Sequence, residues 1–308
     1  MNVGSSTLIA PWSTLTPFIV RPYKNQITRQ CTRQARDCGV KFQEITLQEA
    51  RKFEDCLTER PRPKGIDVLC GLRHFAIITY AVPAERFSGI FPDRFQLDTI
   101  EVDGRTLGLI SVVPFIDVDF TSAVFPFPKF TMGQTNYRIY IIDRVTGERC
   151  VWFLGTTLDS WTLVVPRYLW NLPWHAGKVK FDCRLNQSTG LYKKYEMTTE
   201  SSWAEAAVEL QQSEEDTFNL PGFPDTESAL VYLTHPLAGF YYRRDGKLGT
   251  YRVWHKELLV KPATLKSAKF GLLSRLGIVS ESEQLNPYSV LIEPLNEFTI
   301  YLPPTVVG

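Results

Sequence analysis

Polar and apolar residues alternate with a period of two through much of the chain. H-F-A-I-I-T-Y-A-V (74–82), F-Q-L-D-T-I-E-V (95–102), T-L-G-L-I-S-V-V (106–113), T-N-Y-R-I-Y-I-I-D (135–143) and C-V-W-F-L-G-T-T (150–157) are rich in β-branched and aromatic residues and read as strands. K-V-K-F-D-C-R-L (178–185), L-Y-K-K-Y-E-M-T (191–198), W-A-E-A-A-V-E-L (203–210) and N-E-F-T-I-Y-L (296–302) continue the pattern. Residues 240–255 predict a hairpin around Asp245-Gly246. Helical spacing is confined to three stretches. Over 46–59, Thr46 and Glu49 form a capping box and Ala50, Phe53 and Leu57 share a face, until Pro61 and Pro63 end it. The others are 158–171 and 263–276, the latter stopping at Gly277. Many strands with few intervening helices predict a mainly β (α+β) fold, a barrel or sandwich rather than a doubly wound sheet.

The same scan divides the chain. Residues 68–304 hold the strands, and 37–67 hold the short helix and the linker-like P-R-P-K-G. The first 36 residues contain no Asp or Glu, carry Arg21, Lys24, Arg29, Arg33 and Arg36, and are rich in Ser and Thr. That composition predicts an organelle transit peptide, with a plastid favoured because hydroxyl residues outnumber arginines. If the leader is instead a disordered tail, the expected location is the cytoplasm.

Of the 308 residues, 44% are hydrophobic and 22% charged, enough for a sizeable core. A net charge of +1 does not point to nucleic acid or to an anionic membrane surface as partner. No run approaches the roughly 20 apolar residues of a membrane span; the nearest, 106–120, is cut by Pro114, Asp117 and Asp119. The six cysteines form no C-x-x-C pair and read as idle thiols. Homo-oligomerisation is carried as an expectation.

Nucleophile-elbow, Walker, H-E-x-x-H and dinucleotide motifs are absent. His74, His175, His235 and His255 lie far apart without ligand spacing, so neither a metal nor another cofactor is expected. Asp143 and Glu148 flank a turn and read as solvated. Asp182, Glu196 and Glu293 lie in or beside strands, where an outward charge is the expectation.

One stretch carries more. R-Y-L-W-N-L-P-W-H (167–175) resembles the R-E-x-W-G-x-P-K-K segment of acetoacetate decarboxylases, matching at Arg167, Trp170 and Pro173. V-P-A-E-R-F-S-G-I-F-P (82–92), the D-G-R to V-P-F stretch (103–115), Tyr241 to His255 and N-P-Y-S-V-L-I (286–292) are similar in order and spacing to a branch of that superfamily. The resemblance implies a mostly antiparallel β-barrel with an apolar cavity. In those decarboxylases the first lysine of the segment forms a Schiff base, its pKa lowered by a neighbouring cation and by desolvation. Trp174 stands at that position here and His175 at the next, and an indole forms no iminium. Lys178 and Lys180 share a strand face with Asp182 and Arg184, which reads as the solvent side.

By strand parity His175 shares a side with Val179 and Phe181, expected to be the cavity side. Two functions follow. In the first, the protein is an enzyme acting on a small apolar carbonyl or carboxylate metabolite, without Schiff base or metal. Arg167 would hold an oxygen anion, His175 would be the acid/base, and Trp170, Trp174, His255 and Glu196 would surround the substrate. In the second, the barrel binds an apolar small molecule without chemistry.

Overall fold

Period-two patterning needs two covered faces if both sides of a strand are apolar, and the chain supplies them with a barrel and a second sheet. The computed structural model describes residues 49–212 and 220–307. The barrel strands are β1 (Val68–Pro83), β4 (Arg105–Ser122), β5 (Phe130–Asp143), β6 (Arg149–Leu158), β11 (Ala238–Tyr242), β12 (Leu248–His255) and β15 (Ser289–Val307). Their order is β5-β4-β1-β15-β12-β11-β6, and β6 pairs back onto β5, which closes seven strands into a ring. Four shorter strands extend it. β2 (Phe95–Leu97) pairs with β5, β3 (Thr99–Val102) with β4, β7 (Trp174–Ala176) with β6 and β13 (Lys261–Pro262) with β15. Pairing is antiparallel except where β6 meets β7 and β11. The second sheet runs β14 (Thr264–Phe270), β10 (Ala206–Gln211), β9 (Leu191–Glu200), β8 (Lys178–Asn186). A mainly β barrel with few helices is the fold class the strand pattern predicts.

The second sheet lies against the outside of the barrel. Ala76, Ile78 and Tyr80 of β1 and Tyr137, Ile139 and Ile141 of β5 pack in one buried cluster with Val179, Tyr195, Met197 and Val208. A threonine pair crosses the same layer, Thr135 Oγ1 to Thr199 Oγ1 at 2.9 Å. Leu72, Phe75 and Ile77 face the interior with Val113, Phe115 and Tyr140. His74, at a φ of 54°, interrupts the alternation of β1, so Leu72 and Phe75 reach the same side although three residues apart.

Helices follow the sequence less closely. The stretch 46–59 reduces among the described residues to one turn, α1 (Phe53–Cys56), and Thr46 of the capping box lies outside them. Tertiary bonds replace helical ones there: Arg51 N donates to Ser228 Oγ and Phe53 N to Glu227 Oε1, each at 2.9 Å. The linker-like segment also lies on the barrel, with Tyr301 donating to the Pro61 carbonyl at 3.0 Å. Residues 264–270, expected as helix, are captured by β10 as strand β14, and only Gly271–Arg275 is helical before Gly277 turns left-handed. The region expected as helix over 158–171 is a 3₁₀ turn (Trp161–Leu163) and a π turn (Val165–Leu169), ended by left-handed Asn171. The helix Thr226–Thr234 was not anticipated; its β-branched and aromatic residues mask the helical period. Numbered with Gly271–Arg275 as α3, it is α2. Asp225 caps it, accepting from Ser228 N at 2.7 Å. Its last turn meets the barrel interior, where the Leu233 carbonyl accepts from Arg138 Nη2 at 2.8 Å and from the Tyr140 hydroxyl at 3.1 Å. The leader, with its transit-peptide expectation, lies outside the described residues.

Gly177 is where the chain leaves the barrel for the second sheet. A Cβ there would collide with Thr157 Cγ2 and sit 2.9 Å from the Glu200 carbonyl. Gly177→Ala is expected to cost about 1–3 kcal/mol, read as a lowered midpoint of thermal unfolding by circular dichroism.

Candidate active site: a buried carboxyl in an apolar barrel

Alternation along β5 places Met132, Gln134, Asn136 and Arg138 in one inward row, while Tyr137 and Ile139 point to the second sheet. Together with inward residues of β1, β4, β12 and β15 they line a cavity of about 350 Å³. That is room for about a dozen water-sized groups. Val68, Leu72, Phe115, Val253, Phe298 and Ile300 make most of the wall apolar. The turns through Trp161, Val165, Trp170 and Leu172 stand at one end, with Trp174 of β7 beside them. Thr234, the last residue of α2, and Pro236 to Gly239 after it stand at the other.

Two polar poles interrupt this lining. The first is Asp117, 1% exposed on β4. It lies opposite Met132 just before a bulge, at which Asp119 takes a φ of 54°. One of its oxygens accepts from Gln134 Nε2, the Cys70 thiol lies against the same carboxyl, and Oδ1 has no partner. Desolvation pushes the carboxyl up to about 7, against the smaller opposing effects of Gln134 and Cys70. Desolvation, reinforced by Asp117, likewise pushes the Cys70 thiol well above its ordinary range. The second pole is Arg138. Its guanidinium caps the Leu233 carbonyl of α2, leaves Nε unpartnered, and pairs with no carboxylate among the described residues. Four residues of β5, about 13 Å of strand, separate Arg138 from Gln134, the hydrogen-bond partner of Asp117. Between them Asn136 accepts from the Thr156 hydroxyl at 2.7 Å.

His255 belongs to the Arg138 end and is 2% exposed. Its Nδ1 donates to the Lys256 carbonyl at 2.6 Å, and its ring stacks on Phe298 with centroids 4.5 Å apart. Desolvation lowers its pKa to about 4, with smaller contributions from His235 and Arg138. The imidazole is therefore neutral at physiological pH.

The other expected site residues divide. Trp170, Trp174 and His255 line the cavity; His175, Arg167 and Glu196 are not among its lining residues. The parity argument for His175 fails at one step. It does share a side with Val179 and Phe181, but that side is the layer between barrel and second sheet. There it stacks flat on Trp203, centroids 4.1 Å apart, and desolvation followed by Arg167 and Arg244 lowers its pKa to about 4. The cavity takes the opposite side of β7, where Trp174 projects. Arg167 donates back to the Trp174 carbonyl, and its own carbonyl accepts from Arg244 Nη1 at 3.3 Å, so it clamps the turn. Glu196 is ion-paired with Lys194 at 3.0 Å on the second sheet. Lys178 and Lys180 project to solvent, and no lysine among the described residues lines the cavity. Two carboxylates read as solvated are not. Asp143 is 1% exposed and bound to Arg94 at 2.8 Å, and Glu293 is buried beneath Leu259 N and Asn296.

A closed seven-stranded barrel around an apolar cavity, covered by a second sheet, is the acetoacetate-decarboxylase-like fold. The acetoacetate decarboxylase of Legionella pneumophila superposes with a TM-score of 0.51 at 14% identity, over 84% of this chain and 96% of that one. An acetoacetate decarboxylase-like enzyme from Sphingomonas wittichii RW1 gives 0.49 at 10% identity, over 80% and 94%. No curated protein matches the sequence significantly. The chain belongs to the DUF2071 family, described as an uncharacterized conserved protein, whose model matches residues 70–293.

The Asp117 carboxyl has a thermodynamic signature. Above its ordinary value of 3.8 the unfolded chain releases this proton, whereas the folded chain keeps it up to about pH 7. The proton therefore favours the folded state at acid pH, and that contribution is lost between about pH 4 and 7 and flat above. Relative to Asp117→Asn, the native protein is expected to lose up to about 4 kcal/mol across this window. Urea unfolding of both proteins at several pH values measures it.

Proposed function

We propose that the barrel takes a small, mostly apolar compound bearing a carbonyl or carboxyl group into its cavity and acts on it by non-covalent acid/base chemistry at Asp117. One observation carries this reading: a buried carboxyl with a free oxygen, its pKa near 7, in a mostly apolar wall. A carboxyl with that pKa donates a hydrogen bond to a ligand oxygen when neutral and accepts a proton when ionised, both near physiological pH. Gln134 fixes its second oxygen, and Trp170, Leu172 and Trp174 keep water from it. The absence of lysine from the described lining supports a route without a Schiff base. In this mechanism Arg167 positions the turn that carries the two tryptophans, while His175 supports the wall from behind.

A second reading, a binding protein without chemistry, draws on Arg138. A guanidinium in the cavity with no carboxylate partner among the described residues suits an anionic head group, with the apolar wall taking the rest of the molecule. The two readings predict different variants. Native mass spectrometry of the purified full chain identifies the bound molecule, which is then supplied as substrate. Catalysis at Asp117 predicts a fall in kcat of about 10²–10⁴-fold in Asp117→Asn with binding retained. Unchanged release of that molecule by the native protein, together with loss of binding in Arg138→Gln, contradicts catalysis and supports the binder. Borohydride trapping is expected to leave no adduct; one on Lys178 or Lys180 would overturn the non-covalent route.

A further inference from the structure

The barrel end that carries the tryptophan turn is unusual on its outside. The β4–β5 hairpin tip presents Val124, Phe125 and Phe127, and the helical turns after β6 present Trp161, Val165 and Leu169, all exposed; Phe127 and Trp161 are 72% and 77% so. The two segments meet where the rings of Phe130 and Trp161 lie edge to face, 6.1 Å apart. The tip is pinned in place: Ser122 Oγ accepts from the amides of Val124 and Phe125 at 3.3 Å and donates to the Gly65 carbonyl at 3.2 Å. A cluster of large apolar side chains this exposed marks an interaction surface. Trp161 and Val165 belong both to this surface and to the cavity lining, so apolar wall and apolar exterior are continuous.

Charge selects the partner. Residues 120–130 and 160–170 contain no Asp or Glu, and their charged residues are Lys129 and Arg167. Arg244, stacked 5.0 Å over the Tyr168 ring, and Lys64, next to the Gly65 contact, add two more cations. The flanking anions are Asp119, paired with Lys129 at 3.4 Å, Asp159, and Asp67, whose Oδ2 accepts from Lys64 N at 2.8 Å, while Asp245 is paired with Arg243 at 2.7 Å. Cations therefore outnumber anions by one around this end, and the exposed Lys64 and Arg244 flank the apolar side chains. Among the described residues no helix is long and apolar enough to cross a membrane.

We infer that this end of the barrel docks on an anionic lipid surface, seating Phe125, Phe127 and Trp161 among the acyl chains with Lys64, Lys129 and Arg244 against the headgroups. Aromatic rings flanked by cations, without a spanning segment, match the chemistry of the interfacial layer. Docked this way, the cavity opens toward the hydrocarbon, and an apolar ligand passes between bilayer and barrel without crossing water. The inference goes beyond the chemistry at Asp117 and survives its failure, because it is read from vesicle binding alone.

Flotation of the full chain tests it, with phosphatidylcholine vesicles prepared with and without phosphatidylglycerol. The expected result is binding to the anionic vesicles that weakens with salt, and roughly tenfold weaker binding in the triple variant Phe125→Ser, Phe127→Ser, Trp161→Ser. Should that variant fail to fold, the surface pair Lys129→Glu, Arg244→Glu carries the same expectation for anionic vesicles. Absence of flotation overturns the proposal. So does a dimer, seen by sedimentation equilibrium, that the triple variant dissociates while vesicles go unbound, because a second copy then covers the patch.

Discussion

Pairing of β6 with both β5 and β11 closes the sheet, and every property of the site depends on that closure. An open sheet would leave the inward row of β5 facing water, where Gln134, Asn136 and Arg138 form an ordinary polar face. Closure removes the water. It turns the same side chains into isolated polar points in an apolar wall, where each hydrogen bond is stronger and each unmet one costlier. The second sheet completes the constraint by covering the outer face, so the strands are buried on both sides.

Asp117 shows what the constraint does. Gln134 and Cys70 each favour the ionised carboxyl, and together they recover only part of the hydration it has lost. Desolvation wins because no cation among the described residues reaches the group: Arg138, the guanidinium lining the cavity, is committed to the end of α2. Separation of the two poles keeps the carboxyl from becoming one half of an inert ion pair. His255, neutral and bonded to the backbone, adds a polar surface at the Arg138 end without adding charge.

Strand positions, the Asp245-Gly246 hairpin and the barrel class were legible because period-two patterning and turn chemistry are local signals. Trp170 and Trp174, which the resemblance of the 167–175 segment singled out, line the cavity. The helices at 46–59 and 263–276 were not legible, since strand capture by β10 and contacts to α2 are long-range effects that no window of sequence contains. The polar row of the cavity was not legible for a related reason. Gln134, Asn136 and Arg138 alternate with apolar residues as a solvent face does, and nothing local says that the apolar face has a second sheet over it while the polar face lines a cavity. Asp117 left one trace, as one of the two acidic residues that, with Pro114, interrupt the stretch 106–120 and served to exclude a membrane span. His175 illustrates the opposite failure: its side of the strand was read correctly, and the side on which the cavity lies was not.

The central claim is that a carboxyl in this cavity holds its proton until near neutrality. Infrared difference spectroscopy of the folded protein across pH reads that proton directly, through the carbonyl stretch of a buried neutral carboxyl. The account predicts a band that disappears with a midpoint near pH 7 and is missing from Asp117→Asn. A native protein with no such band at pH 5, where Asp117 would already be ionised, would contradict it.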